Sequence, residues 1–159
     1  MVPLASVHIR RITAEDPAAL RLLEQSDEFG ASLYPPQSIH SESAEALLSP
    51  TVAFFGAYVG DELAACGAVK IIDDDAGYGE IKRVFVDERH RRRGLALALM
   101  EQLEAHAAEC GVNLIRLETG VKQPEAVRLY RKLGYVERGP FGHYRADPLS
   151  VFMEKTLKA

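Results

Sequence analysis

The sequence predicts an α+β fold, in which one mostly antiparallel sheet carries flanking helices and a single locally parallel pair of strands. Strand-like segments follow one another without an intervening helix over residues 51–86, whereas helix and strand alternate over residues 95–133. Strands joined by short turns pair antiparallel, and a strand reached through a helix pairs parallel with its predecessor. These two patterns together favour a mixed sheet.

The N-terminal quarter is predicted to hold a strand, a helix and a loop. Residues 6–12 alternate as a short strand, and Glu15-Asp16-Pro17 is typical of a helix start. We expect this helix to end near Phe29 and to bury an apolar set at helical spacing, Ala18, Ala19, Leu20 and Leu23. Two prolines predict a loop over residues 34–40, and a short helix over residues 42–48 should follow.

The remaining elements follow from turns and from helical periodicity. Strands over residues 51–59, over 62–72 and up to Val86 are joined by turns at residues 60–61 and 73–77. A helix with a buried stripe of Leu95, Leu99, Leu103 and Ala107 should end near Cys110-Gly111. A strand over residues 112–119, a helix over 124–133 and strands over 135–137 and 151–156 complete the prediction.

Composition limits the classes of protein that fit. With 159 residues, 47% of them hydrophobic, the chain is predicted to fold as one domain over residues 1–159. Cys66 and Cys110 have neither metal-ligand spacing nor a disulfide pattern, so we expect no metal and a reducing, cytoplasmic location. No signal-peptide pattern or membrane-length apolar run appears, which argues against a membrane partner. The net charge of −4 argues against a nucleic-acid partner.

The segment over residues 80–100 carries the clearest functional pattern. An apolar strand leads into the basic turn Arg91-Arg92-Arg93-Gly94, and an amphipathic helix follows. Backbone N–H groups at a helix start lack intrahelical partners and lie at the positive end of the helix dipole, so they bind phosphate groups. Gly94 and Ala96 would keep side chains away from such a ligand. A solvated basic turn is the alternative interpretation.

The spacing Arg91-x-x-Gly94-x-Ala96 resembles the Q/R-x-x-G-x-G/A signature of the GNAT superfamily of acetyl-CoA-dependent N-acetyltransferases. Residues 123–135 are similar to the family's N-x-x-A-x-x-L-Y-x-x-x-G-F segment, with Gln123 in place of Asn. The resemblance covers about residues 6–157. Within the superfamily, the chain resembles a bacterial subgroup labelled indole-3-acetic acid acetyltransferases.

The resemblance implies that the parallel strands splay apart and that the pantetheine arm of acetyl-CoA lies between them. The residues expected to bind acetyl-CoA are then Val84, Phe85, Val86, Arg91, Arg92, Arg93, Gly94, Leu95, Ala96, Gln123, Ala126 and Tyr130. No metal is needed for this chemistry.

Two residues are expected to move protons during acetyl transfer. Glu80 begins the strand where several enzymes of the superfamily carry a catalytic base, and Glu118 is the rival. An ordinary strand-end acid beside Lys82 or Arg83 is the structural alternative for Glu80. Tyr130 matches the tyrosine that protonates the leaving thiolate, although a merely packed aromatic is its alternative.

The acceptor is predicted to be the primary amine of a small or amino-acid-like metabolite. Its pocket should be built by the loop over residues 34–40 and by residues 141–148, with contacts from Tyr34, His40, Glu118 and Tyr144. A protein lysine or N-terminus and a non-catalytic acyl-CoA-binding module are the alternatives. The sequence leaves open the acceptor's identity, the acyl chain length and whether the protein is a homodimer.

Overall fold

A seven-stranded mixed sheet is the central element of the computed structural model, which describes residues 6–74 and 77–158. The strands are β1 (Val7–Arg11), β2 (Val52–Val59), β3 (Glu62–Ile72), β4 (Tyr78–Val86), β5 (Leu114–Gly120), β6 (Val136–Arg138) and β7 (Ser150–Thr156). Their spatial order is β1-β2-β3-β4-β5-β7-β6, and β4 with β5 is the parallel pair. The predicted fold class is therefore confirmed.

The parallel pair is short, and it opens where the site lies. β4 and β5 pair only from Gly79 with Ile115 to Ile81 with Leu117. Both strands continue beyond this point, β4 to Val86 and β5 to Gly120. The two strands therefore splay apart, as the family resemblance implies.

A β-bulge in β4 coincides with the start of this splay. Cys66 pairs with Phe85 and Ala68 with Lys82, so Gly67 of β3 faces both Arg83 and Val84. Arg83 adopts the left-handed conformation with φ of 59°. A bulge bends the strand that carries it and redirects the neighbouring side chains. Here it bends β4 at the position where the strand leaves β5.

Three helices cover the sheet: α1 (Pro17–Leu33), α2 (Leu95–Glu109) and α3 (Pro124–Lys132). Asp16 caps α1 by accepting a hydrogen bond from the amide of Ala18 at 2.9 Å. The helix continues past the predicted end at Phe29, because Gly30 is tolerated and the extended conformation is first imposed on Tyr34 by the following proline. The predicted burial of Leu20 is wrong, since this side chain is 40% exposed.

The two longer helices pack on opposite faces of the sheet. Ala53, Phe55 and Ala57 of β2 belong to the core cluster that contains α2, and Val52 and Phe54 belong to the one that contains α1. This alternation is the period of two expected of a strand buried on both faces. The predicted α2 stripe, Leu95, Leu99, Leu103 and Ala107, is fully buried.

Several shorter predictions are corrected or only partly covered. The helix expected over residues 42–48 is reduced to a 3₁₀ turn at Ala46–Leu48, where Ser43 Oγ accepts from the amide of Ala46. Further 3₁₀ turns occur at Pro36–Ser38 and Glu88–His90. The predicted turn over residues 73–77 includes residues 75 and 76, and the signal-peptide argument concerns residues 1–5; both sets lie outside the described residues. Within residues 6–74 and 77–158, no helix is both long and apolar enough to span a bilayer.

Candidate active site

Two connected cavities open at the splay between β4 and β5. The larger, here called the cofactor cleft, has a volume of about 700 Å³ and lies between the end of β4 and the first turns of α2 and α3. The smaller, the acceptor cavity, has a volume of about 190 Å³ and extends towards α1 and the segment over residues 38–41. Both cavities are lined by Phe29, Val84, Phe85, Gln123, Ala126 and Tyr130. A ligand in one cavity can therefore meet a ligand in the other.

The sequence-predicted cofactor residues lie together in the cofactor cleft, with one exception. Those that line it are Val84, Phe85, Val86, Arg91, Arg92, Gly94, Leu95, Ala96, Gln123, Ala126 and Tyr130. Arg93 is not among the lining residues, and its Nη1 lies 3.5 Å from Nδ1 of His90. The buried His90 lines the cleft instead, and no motif in the sequence marked it.

The start of α2 has the geometry of an anion site. Gly94 is the N-cap with φ of 75°, and Arg92 is also left-handed with φ of 66°. No side chain caps this helix, so its first N–H groups are available to a ligand at the positive end of the dipole. A Cβ at Gly94 would meet nothing within 4 Å. The positive φ therefore favours glycine at this position.

Tyr130 lies at the junction of the two cavities. Ala126 and Tyr130 are one helical turn apart on α3 and line both cavities, as their spacing predicts. Burial raises the pKa of Tyr130 to about 12. The side chain is therefore a neutral phenol that can donate a hydrogen bond at the point where the cavities meet.

Tyr34 is fixed between the end of β5 and the start of α3. Its hydroxyl donates to Oε1 of Gln123 at 3.2 Å and accepts from the amide of Lys122 at 3.1 Å. Gly120 makes this position available, because a Cβ there would lie 2.0 Å from the hydroxyl oxygen. Gln123, which replaces the family's usual asparagine, is oriented by this contact.

The four predicted acceptor residues come together from separate segments of the chain. Tyr34, His40, Glu118 and Tyr144 all line the acceptor cavity. Glu118 follows Leu117, the last residue of β5 that pairs with β4, so its carboxylate lies at the mouth of the splay. The ring of His40 contacts that of Tyr144 edge to face at 5.4 Å.

Glu118 presents a carboxyl group to the acceptor cavity, where the charges of His40 and Lys82 act on it without forming an ion pair among the described residues. Its Oε2 accepts a hydrogen bond from the hydroxyl of Ser150 at 2.9 Å, and burial raises its pKa. The cations of the lining are paired elsewhere, Lys82 with Glu42 and Glu80, and Arg83 with Asp27. Among the residues that the structure describes, Glu118 therefore forms no ion pair.

Glu80 is buried and does not line either cavity. Its Oε2 accepts a hydrogen bond from the hydroxyl of Tyr144 at 2.5 Å and lies 3.4 Å from Nζ of Lys82. Tyr144 reaches the acceptor cavity and Glu80 does not. Glu80 therefore lies beside Lys82, as the structural alternative for this residue expected. The phenol of Tyr144 connects Glu80 to the acceptor cavity.

Sequence reasoning missed several lining residues. Phe29 lies at the end of the predicted α1 and carried no signal of its position beside the cofactor cleft. Lys82 contacts the carbonyl of His40 at 3.3 Å and the hydroxyl of Tyr144 at 2.8 Å, which links three segments around the acceptor cavity. Its spacing of two from Glu80 on a strand was the available signal. In residues 6–74 and 77–158, no group of histidine, cysteine and acidic side chains has a metal-binding arrangement.

Comparisons with known proteins agree with this architecture. The model of the acetyltransferase (GNAT) family matches residues 17–135. An IAA acetyltransferase of Azospirillum brasilense is 40% identical over 154 residues, which are 97% of this chain and 100% of that protein. A crystal structure of a candidate acyl-CoA N-acyltransferase from Klebsiella pneumoniae has a TM-score of 0.80 and 34% identity, and the alignment covers 97% of this chain and 99% of that one.

A more distant structure shares the fold. The PaiA N-acetyltransferase of Thermoplasma acidophilum, solved in complex with coenzyme A, has a TM-score of 0.75 and 21% identity, with 95% of this chain and 99% of that one aligned. The splayed strands and the uncapped start of α2 fit a ligand of this kind. The chain therefore belongs to the GNAT acetyltransferase family and is an acyl-CoA-dependent acyltransferase.

Proposed function

We propose that this protein, as one domain over residues 1–159, transfers the acetyl group of acetyl-CoA to the primary amine of a small or amino-acid-like metabolite. The observation that carries the proposal is the carboxyl group of Glu118, which forms no ion pair within residues 6–74 and 77–158 and lies in a cavity joined to the cofactor cleft. A half-buried carboxylate without an ion-pair partner attracts a cation, and an amine reaches the enzyme largely as an ammonium ion.

The cofactor cleft supports the choice of co-substrate. The N–H groups from Arg92 to Ala96 would hold the pyrophosphate, and Arg91 or Arg92 would add charge-assisted hydrogen bonds. The thioester supplies the acyl group and a thiolate that leaves. Val84 and Phe85 line both cavities, so a thioester carbonyl held beside them would lie next to the acceptor.

The size and charge of the acceptor cavity restrict the acceptor. Its volume of about 190 Å³ is below the roughly 300 Å³ at which drug-sized pockets begin, so the group that enters it is small. A carboxylate acceptor such as indole-3-acetate would bring a second negative charge towards Glu118, and it has no aliphatic amine to acetylate. An amine is therefore the acceptor that the cavity favours.

The reaction needs a neutral amine, which attacks the thioester carbonyl while the C–S bond breaks. Glu118 or Glu80 takes the ammonium proton, and the second amine proton is lost to solvent when the amide forms. Tyr130 lies where the sulfur would leave. Burial raises the pKa of Tyr130 to about 12, so the phenol keeps its proton and can donate it as a hydrogen bond. We therefore assign Tyr130 to donating a hydrogen bond to the departing sulfur.

The test is release of coenzyme A from acetyl-CoA in the presence of single acceptors: ethanolamine, glycine, putrescine, tryptamine, a peptide with a free N-terminus, and indole-3-acetate. We expect turnover with at least one small amine and none with indole-3-acetate. Glu118→Gln should raise KM for the amine, and Tyr130→Phe should lower kcat about 10–100-fold with little change in KM. Preference for the peptide would indicate a protein acetyltransferase. Tight acetyl-CoA binding without any turnover would indicate a binding module.

A further inference from the structure

We propose that Tyr144 is a catalytic residue of the acceptor half-site, which receives the proton of the acceptor ammonium and passes its own proton to Glu80. The inference rests on the proposed function, since it assumes that the acceptor is an amine. The relay gives the proton of the acceptor a route to Glu80, which is buried and does not line the acceptor cavity.

The hydrogen bonds around the phenol oxygen leave one position for the substrate. The hydroxyl donates its proton to Oε2 of Glu80 at 2.5 Å, and its oxygen accepts a hydrogen bond from Nζ of Lys82 at 2.8 Å. A hydroxyl has one donor and two acceptor positions. Because Tyr144 lines the acceptor cavity, the remaining acceptor position is available to an ammonium N–H.

The ring of Tyr144 is held by aromatic neighbours. Its centroid lies 5.1 Å from that of Phe141, 5.5 Å from that of Phe152 and 5.4 Å from that of His40. These contacts restrict the ring, so the hydroxyl is positioned before the substrate arrives. A proton carrier held in this way needs no side-chain rearrangement.

The proton transfer takes place in one step, in which atoms and charges balance. The ammonium gives one proton to the oxygen of Tyr144, while the O–H bond of Tyr144 breaks and its proton goes to the carboxylate of Glu80. Tyr144 is neutral before and after, Glu80 becomes a carboxylic acid, and the amine keeps the lone pair that attacks the thioester. Burial and the neighbouring Glu80 raise the pKa of Tyr144, so the phenol does not ionise by itself near neutral pH.

The relay lies among other charged groups that affect its pH dependence. Lys82 precedes the bulge on β4, Lys70 and Arg116 occupy the positions paired with Glu80 on β3 and β5, and Glu118 lies two residues further along β5. Glu42 and His40 approach from the segment before β2. Of these groups, Lys82 contacts both partners of the relay, since its Nζ lies 2.8 Å from the hydroxyl oxygen of Tyr144 and 3.4 Å from Oε2 of Glu80. The relay is therefore tested by variants of Tyr144 and Glu80 that leave Lys82 in place.

The test compares Tyr144→Phe, Glu80→Gln and the double variant, using acetyl-CoA and whichever amine of the panel above has the highest kcat/KM with the wild type. Phenylalanine retains the ring packing, and glutamine retains an acceptor for the phenol but takes no proton. We expect each single variant to lose about 100-fold in kcat at pH 7, and the double variant to lose no more. At about pH 9.5, where more amine arrives unprotonated, the deficit should shrink at least tenfold.

Tyr78→Phe is the matched control, because Tyr78 packs edge to face on the same Phe141 and does not line the acceptor cavity. It should retain wild-type kcat. The thermal midpoint and the affinity for coenzyme A establish that each variant is folded. If one of the two single variants does not fold, the pH profile of the other single variant tests the relay. A deficit that is constant with pH, a change confined to KM, or full activity of either single variant would overturn the relay. Absence of wild-type turnover with every amine would instead overturn the proposed function.

Discussion

Glu118, the residue proposed to bind the acceptor, illustrates how such a residue can act against stability. Burial disfavours its charged form and raises its pKa, so between the ordinary carboxyl value of 4.5 and the raised value the folded protein binds more protons than the unfolded chain. Stability from this group is therefore lost as pH rises through that window.

Replacing Glu118 by glutamine is expected to raise the thermal midpoint at pH 7 and to leave it unchanged at pH 4. The physical reason is that the penalty for a half-buried charge exists only above the window just described. Differential scanning calorimetry at the two pH values measures the effect. The control is Glu101→Gln, an exposed carboxylate on α2, which should change neither midpoint. A larger gain at pH 4 than at pH 7 would contradict the assignment.

Gly120 and Tyr34 are in close contact, and the effect of this contact on stability can be measured. Gly120→Ala should displace Tyr34, because the added Cβ lies 2.0 Å from the hydroxyl and 2.4 Å from Cζ. We expect a loss of about 1–3 kcal/mol in unfolding free energy and a weaker contact to Gln123. Combining it with Tyr34→Ala should cost less than the sum of the two single changes. Gly139→Ala, whose Cβ meets nothing within 4 Å, is the control, and strict additivity would argue against the contact.

At the scale of an element, helix α2 allows the anion site to be separated from helix stability. Gly94 at its start and Gly111 just after its end are both left-handed, with φ of 75° and 80°, and neither has a neighbour within 4 Å of an added Cβ. Alanine should therefore cost about 1–2 kcal/mol at either position through backbone strain alone.

Only one of these two substitutions should change the affinity for coenzyme A. Gly94→Ala is expected to weaken coenzyme A binding at least tenfold, because relaxing the strain moves the N–H groups that face the ligand. Gly111→Ala should lower stability by a similar amount and leave the dissociation constant unchanged. Isothermal titration calorimetry of both variants checks this prediction. Equal affinities would show that the start of α2 does not bind the pyrophosphate.

At the scale of the whole molecule, the cofactor cleft joins β4, α2 and α3, so ligand binding should stabilise the entire fold. Coenzyme A at 100 times its dissociation constant adds about 2.7 kcal/mol to the free energy of unfolding. For a chain of this length, that gain corresponds to a rise of about 5–11 °C in the thermal midpoint. Thermal unfolding with increasing ligand measures it. Pantetheine at the same concentration should give a smaller rise, because it lacks the pyrophosphate, and equal shifts would contradict the role of α2.

The order of elements could be predicted from the sequence, because the interactions that create them are mostly local, whereas the residues of the cofactor cleft were predicted from the resemblance to the GNAT family. The stripe Leu95, Leu99, Leu103 and Ala107 fixes the buried face of α2, and the residues before it form the turn at its N-terminus. The spacing between Ala126 and Tyr130 likewise places both on one face of α3. Periodicity and glycine conformation depend on neighbours in the chain, which a sequence displays directly.

The pairing of charged and polar groups around the acceptor cavity was decided only by the tertiary structure. The sequence identified Glu80, Glu118 and Tyr144, yet it did not show that Tyr144 bonds to Glu80 across 64 residues or that Glu118 has no ion-pair partner among the described residues. Both facts depend on the bulge in β4, the splay from β5 and the path of the segment between β6 and β7. The partner of a charged side chain is whichever group the fold brings within a few ångströms, and separation along the chain does not specify it.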